Sequence, residues 1–139
     1  MIRKILLPTD GSAFSESASK YAIFLAKKCG AALTALHVIS VEPPKKLGTE
    51  SIEKEKAKQA ELCFRSVEER GKAEGVELKT KILVSRSICG AILEEAEEGG
   101  YDIIIMGSHG ISGFKKFLLG SVSEAVVHKA ALPVLIIHS

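Results

Sequence analysis

Tryptophan is absent from this 139-residue chain, and aromatic residues make up only 5% of it. A platform that stacks single-stranded bases needs more rings than that, so the composition argues against such a role. Charge of one sign is lacking too. Lys and Arg number 19 against 17 Asp and Glu, for a formal net charge of +2, and the two signs are interleaved, which suits neither a nucleic-acid surface nor a membrane-binding face. The three cysteines, Cys29, Cys63 and Cys89, are an odd number with no C-x-x-C spacing, against both a disulfide framework and a zinc site. They read as small buried thiols in a reducing compartment. Four scattered histidines form no metal-binding pattern. No apolar run approaches the length of a membrane span, and MIRKILLPTD, with a very short apolar run before Pro8, lacks the form of a signal peptide. The expectation is a soluble cytoplasmic protein forming one domain over residues 1–139, with 46% hydrophobic residues to build its core.

What is present is an alternation of short apolar runs with longer stretches of helical period. IRKILLP (2–8), ALTALHVI (32–39), VELKTKILV (76–84), YDIIIM (101–106) and LPVLIIH (132–138) read as strands. Four helices fall between them. The first carries Ala18, Tyr21, Ala22, Leu25 and Cys29 on one face and ends at Gly30; the second has a stripe of Ala60, Cys63, Phe64, Val67 and Gly71, with Glu53 to Lys58 as a solvated face. The third offers Ile88, Ala91, Ile92 and Ala96, and the fourth Leu119, Val122, Ala125 and Val126. Helix follows strand throughout, which predicts an α/β domain with a mainly parallel sheet. The Pro-, Gly- and charge-rich stretch SVEPPKKLGT (40–49) reads as a mobile loop beside whatever site exists.

An open parallel sheet binds ligands at the carboxyl ends of its strands, where the winding direction reverses. In the order 3-2-1-4-5, which pattern alone does not dictate, that point lies between the first and fourth strands and is flanked by PTDGS (8–12) and GSHG (107–110). Gly107, Gly110 and Gly113 allow close backbone approach and positive φ. Ser121 followed by Glu124 reads as a capping box, so that the amides of Gly120, Ser121 and Val122 face the crevice as anion donors. Gly113 and Gly120 serve equally as ordinary turn glycines, and the same box as a mere cap. The stretch is neither a Walker A loop nor G-x-G-x-x-G.

The pattern Gly107-x2-Gly110-x9-Gly120-Ser121 after the strand DIIIM, with KILLPTDGS at the start, HVI closing the second strand and LPVLII closing the chain, resembles the universal stress protein family nearly end to end. In that family this glycine spacing marks the ATP-binding branch. The resemblance implies a three-layer α/β/α fold with an open parallel five-stranded sheet of order 3-2-1-4-5, Rossmann-like and of the adenine nucleotide alpha hydrolase-like kind. It also implies that Pro8, Thr9 and Asp10 line an ATP site, with Asp10 near the ribose or a phosphate-bound Mg²⁺. Val38 would pack on adenine, Met106 and Gly107 contact adenine and ribose, His109 and Gly110 the phosphate path, and Gly120, Ser121, Val122 and Ser123 the phosphates. Lys115 and Lys116 read as solvated, and His37, His128 and His138 as structural.

Three functional classes follow. The first is an ATP-dependent regulatory module of the stress response acting on a downstream protein partner; the second is a slow ATPase; the third is a dimeric interaction protein with a vestigial pocket. A single carboxylate, Asp10, at the crevice gives little for catalysis, and Asp102 begins a strand at the opposite end of the sheet, so a binding module is expected rather than an enzyme. The uncharged run Val134–Ile137 on an edge strand predicts a homodimer through the C-terminal strand.

Overall fold

The computed structural model describes residues 1–41, 49–109 and 119–138, with side chains in the helix that begins at residue 49 described from residue 54 onward. Gly110, Gly113, Lys115 and Lys116 lie outside the described residues, as does most of the 40–49 stretch. The elements alternate as β1 (Lys4–Pro8), α1 (Ala13–Cys29), β2 (Ala32–Ser40), α2 (Thr49–Ala73), β3 (Leu78–Ser85), α3 (Ile88–Glu98), β4 (Ile103–Gly107), α4 (Ser121–Lys129) and β5 (Val134–Ile137). All pairings are parallel and the spatial order is β3-β2-β1-β4-β5. The fold is the α/β class anticipated from the strand and helix pattern, with the Rossmann-like strand order that the family resemblance implied.

Alternation along the strands divides the core into two layers. Ile5 and Leu7 of β1 point to the side of α1 and α2, where they pack with Ala18, Ala22, Phe64 and Val67. Leu6 points to the other side, with Ile104 of β4, against Ile92 and Ala96 of α3 and Val126 of α4. Both faces of the central strands are covered, which is why β1 reads as an unbroken apolar run rather than an alternating one.

The buried face of α1 differs from the expected stripe. Ser15, Ala18, Ser19, Ala22, Ile23 and Ala26 are buried, while Tyr21 and Cys29 are exposed. Small residues face inward because α1 lies close on the sheet, and the Ser19 hydroxyl is satisfied within the helix, donating to the Ser15 carbonyl at 2.8 Å. The cysteines are accordingly not the buried thiols of the sequence reading: Cys29 is exposed, and Cys63 and Cys89 are half-buried. The end of α1 does follow expectation, with Gly30 in the left-handed conformation at φ 66°. At the amino ends of the strands, the Asp102 carboxylate accepts from the backbone N–H groups of Arg3 and Lys4, and these bonds, the one from Arg3 foremost, hold it below the usual carboxylate range. Asp102 therefore ties β4 to β1 at the end of the sheet away from the crevice.

Helix α1 approaches the sheet closely at Gly107. A Cβ added there would stand 2.8 Å from the backbone carbon and oxygen of Phe14, in the first turn of α1. Gly107 has none of the positive φ that the sequence reading allowed it, since that conformation is confined to Gly11, Gly30, Gly75 and Gly100 among the described residues. Its bare Cα makes room for α1. Gly107→Ala is therefore expected to cost about 1–3 kcal/mol by overpacking, read as a lower urea midpoint at unchanged slope; wild-type stability in that variant would show that α1 does not rest on β4 here.

Candidate functional site

At the carboxyl end of the sheet, pairing between β1 and β4 covers Ile5 with Ile103 and Leu6 with Ile104, and each strand then runs on to feed a different helix. A cleft of about 610 Å³ opens there. Of the residues expected at a site, Pro8, Thr9, Asp10, Val38, Met106, Gly107, His109, Gly120, Ser121, Val122 and Ser123 all line it. The strand order brings these segments together although more than a hundred residues of chain separate the first from the last.

The first wall is the loop after β1. Thr9 is fixed twice through its backbone: its N–H donates to the Leu36 carbonyl at 2.8 Å, and its own carbonyl accepts from His37 Nδ1 at 2.8 Å. Because a carbonyl can only accept, His37 carries its hydrogen on Nδ1, and its structural role agrees with expectation even though the ring also lines the cleft. Asp10 Oδ1 accepts from the Ser12 N–H at 2.9 Å and the Ser15 hydroxyl at 3.2 Å, which orients the carboxylate at the start of α1. Gly11 follows with φ +79°, and a Cβ there would stand 2.9 Å from Cys63 Sγ of α2.

The second wall is the start of α4. The helix begins one residue earlier than a Ser121 capping box requires. Gly120 is the N-cap, with φ −66° and ψ 163° and no side-chain cap, and Ser121 is the first helical residue. The Gly120 N–H donates to the Ser108 carbonyl at 2.7 Å, which pins the turn and removes that amide from the expected donor set. The first bond of the helix runs from the Glu124 N–H to the Gly120 carbonyl, so the N–H groups of Ser121, Val122 and Ser123 have no acceptor among the described residues. Ser123 is buried, its hydroxyl donating to the Gly107 carbonyl at 2.8 Å. Three orphan amides at the positive end of a helix suit an anion.

Between these walls the lining is apolar: Leu36, Val38 and Ile39 from β2, Ile88 and Ile92 from α3, and Met106 from β4. A slot of that composition fits a flat, weakly polar ring. Lys56 and Gln59 of α2 also reach the cleft, Lys56 Nζ donating to the Ser40 carbonyl at 3.1 Å. The sequence reading placed Lys56 on a solvated face. Only its position in the last stretch of charge before the buried stripe of α2 hinted otherwise.

His109 is 8% exposed, with Nδ1 3.0 Å from the Ser108 hydroxyl oxygen and its ring 5.1 Å from that of Phe14. Its Nε2 is buried and has no hydrogen-bond partner among the described residues. An orphaned polar atom in the wall and a backbone cradle at Gly120 are features a phosphate-bearing ligand would complete. For Mg²⁺ the protein supplies less. No group of three or more His, Cys, Asp or Glu side chains could hold a metal among the described residues, so a magnesium ion would ride on phosphate oxygens with Asp10 as its one carboxylate neighbour in the cleft.

A family model described as the universal stress protein family matches residues 1–138. The chain belongs to that family. The universal stress protein MJ0531 of Methanocaldococcus jannaschii is 34% identical over 99% of this chain and 82% of its own length. The solved structure of MJ0577, from the same organism, superposes with a TM-score of 0.82 at 32% identity, covering 100% of this chain and 97% of that one. A universal stress protein solved in complex with cAMP superposes with a TM-score of 0.72 at 26% identity, covering 99% and 97%. No helix among the described residues is long and apolar enough to cross a membrane.

The site geometry sets an order of thiol reactivity. Burial, and secondarily the Asp10 carboxylate, push the Cys63 thiol up from its ordinary pKa, while Cys29 is exposed. A raised pKa leaves less thiolate at any pH below it, so with a disulfide reagent at about pH 8 Cys29 should label first and Cys63 lag, catching up as the pH rises. Equal rates at the two positions, followed by peptide mapping, would contradict the packing of Cys63 beneath Gly11.

Proposed function

We propose that this universal stress protein is an ATP-binding regulatory module whose occupancy by nucleotide is passed to a protein partner in the stress response. The observation that carries the reading is the cleft at the sheet's switch point, where an apolar slot and the three unspent amides of α4 line one space. Adenine fits the slot between Val38 and Met106. The ribose falls beside Asp10 and Gly107, and the phosphates lie at Ser121, Val122 and Ser123. The cAMP complex of a 26% identical relative supports an adenine nucleotide in this fold.

The reading stops short of an enzyme. Asp10 is the cleft's single carboxylate among the described residues and is engaged with Ser12 and Ser15, while His37 is held by the Thr9 carbonyl. With no second acid beside Asp10 to pair with it as base, attack by water gains little acceleration, and turnover by the isolated chain should fall well below about 1 s⁻¹.

Calorimetric titration tests the binding. ATP with Mg²⁺ should bind at micromolar to sub-millimolar affinity, about −5 to −8 kcal/mol. In Gly120→Val the affinity should drop tenfold or more, because a Cβ at Gly120 already stands 3.2 Å from His109 Cα and the Ser108 carbonyl oxygen and must displace the cradle. Circular dichroism would confirm that the variant folds. No heat and no thermal shift at millimolar ATP in the wild type would end the proposal.

Partnership with a second copy belongs to the same reading. β5 is an edge of the sheet, and beside it Leu135 and Val127 of α4 are 39% and 42% exposed. Antiparallel pairing of two β5 strands about a two-fold axis would satisfy both edges at once. Light scattering should return about twice the 14.9 kDa of one chain, and Ile136→Lys should shift it toward the single-chain mass; a monomeric wild type at tens of micromolar would refute the pairing.

A further inference from the structure

Ser108, absent from the expected site residues, has a backbone held on two sides. Its N–H donates to the Ile137 carbonyl of β5 at 2.9 Å, and its carbonyl accepts from the Gly120 N–H of α4 at 2.7 Å. The residue is 1% exposed, so its hydroxyl has little freedom, and among the described residues that hydroxyl meets His109 Nδ1 alone.

Two hydrogens must be placed on this pair, one on the hydroxyl and one on the neutral imidazole. If Nδ1–H donated to the hydroxyl oxygen, the buried O–H would be left without an acceptor and Nε2 would be a bare lone pair, leaving two buried polar groups unmatched. If the hydroxyl donates to Nδ1, only one group is unmatched, and it is an Nε2–H donor. Each buried unmatched group carries a desolvation penalty, so the second arrangement wins.

We propose that Ser108 is a positioning residue that fixes His109 with its hydrogen on Nε2, and that this donor takes an anionic phosphate oxygen of the ligand. The inference rests on the nucleotide reading above and adds the group that distinguishes a phosphorylated ligand from its bare nucleoside. Helix amides donate to any oxygen that reaches them. The imidazole donor, buried beside the ring of Phe14 without a partner among the described residues, gains its hydrogen bond when an acceptor enters beside Gly120. Nε2 is closed to water, so the His109 ring or its neighbours must shift slightly to make that bond, and the gain on satisfying a buried donor drives the shift.

The test uses the full-length protein with ¹⁵N-labelled histidine. Above the imidazole pKa, long-range ¹H–¹⁵N correlation should show His109 with its hydrogen on Nε2, and Ser108→Ala should convert this to a mixture of tautomers while Ser108→Thr restores it. Inorganic pyrophosphate should move the Nε2 resonance of the wild type. Calorimetry should show that Ser108→Ala lowers the ratio of ATP to adenosine affinity five- to tenfold with adenosine binding unchanged, and that Ser108→Thr returns the ratio. A hydrogen found on Nδ1, or an unaltered ratio in Ser108→Ala, overturns the proposal. Adenosine failing to bind while pyrophosphate still moves Nε2 would refute the adenine slot and leave the role of Ser108 and His109 standing.

Discussion

The approach of α1 to the end of β4 at Gly107 is the contact on which the site depends. The missing side chain lets the first turn of α1 rest on the strand at a distance no Cβ allows, and the carbonyl of the same residue accepts the Ser123 hydroxyl from α4. One residue thus receives helices from opposite faces of the sheet. The PTDGS loop that begins α1 and the Gly120 cap of α4, bonded to the Ser108 carbonyl, are thereby held across one crevice. Phe14 reaches His109 for the same reason.

Hydrogen-bond accounting around that contact explains what the cleft can do. Gly120 gives its amide to Ser108, His37 gives Nδ1 to Thr9, and Asp10 accepts from Ser12 and Ser15. These bonds hold the walls in place. Among the described residues, the amides of Ser121 to Ser123 and the imidazole edge of His109 are donors left without acceptors, while Leu36, Val38, Ile39, Ile88, Ile92 and Met106 supply an apolar stretch of the lining. Such a space has an anion end and an apolar end. In the proposed reading it orients a ligand, with Asp10 the one carboxylate among the described lining residues.

How much of this the sequence disclosed follows from which physical signals are local. Strand and helix alternation, the Gly30 cap and the buried stripe of α2 are carried by residues a few positions apart and were legible. The buried face of α1 was not, because Ser15 and Ser19 go inward only where tertiary packing demands small residues, while Tyr21 and Cys29 look apolar but have nothing to pack on. The cap of α4 was misplaced by one residue because the competing acceptor, the Ser108 carbonyl, stands twelve positions away. Lys56 and Gln59 were missed for a similar reason: charged and polar residues early in α2 look solvated in sequence, and only the packing of the helix beside the end of β2 brings them to the cleft. Gly107 was singled out for the right position and the wrong cause, since a glycine needed by a ligand and one needed by a helix look alike in sequence.

The composition of the cleft also bears on how a bound nucleotide would behave. Lys56 is the one Lys or Arg among its described lining residues, and it is engaged with the Ser40 carbonyl. Phosphates in the proposed reading therefore meet dipoles, the helix amides and His109, more than full charges. Dipoles fixed by the backbone act at short range and compete poorly with water at a distance, so they select geometry without the strong salt-dependent attraction of a lysine or arginine cluster. Binding of that kind is moderate in strength and quickly reversed. In the proposed reading, a module whose occupancy follows nucleotide concentration draws on both properties.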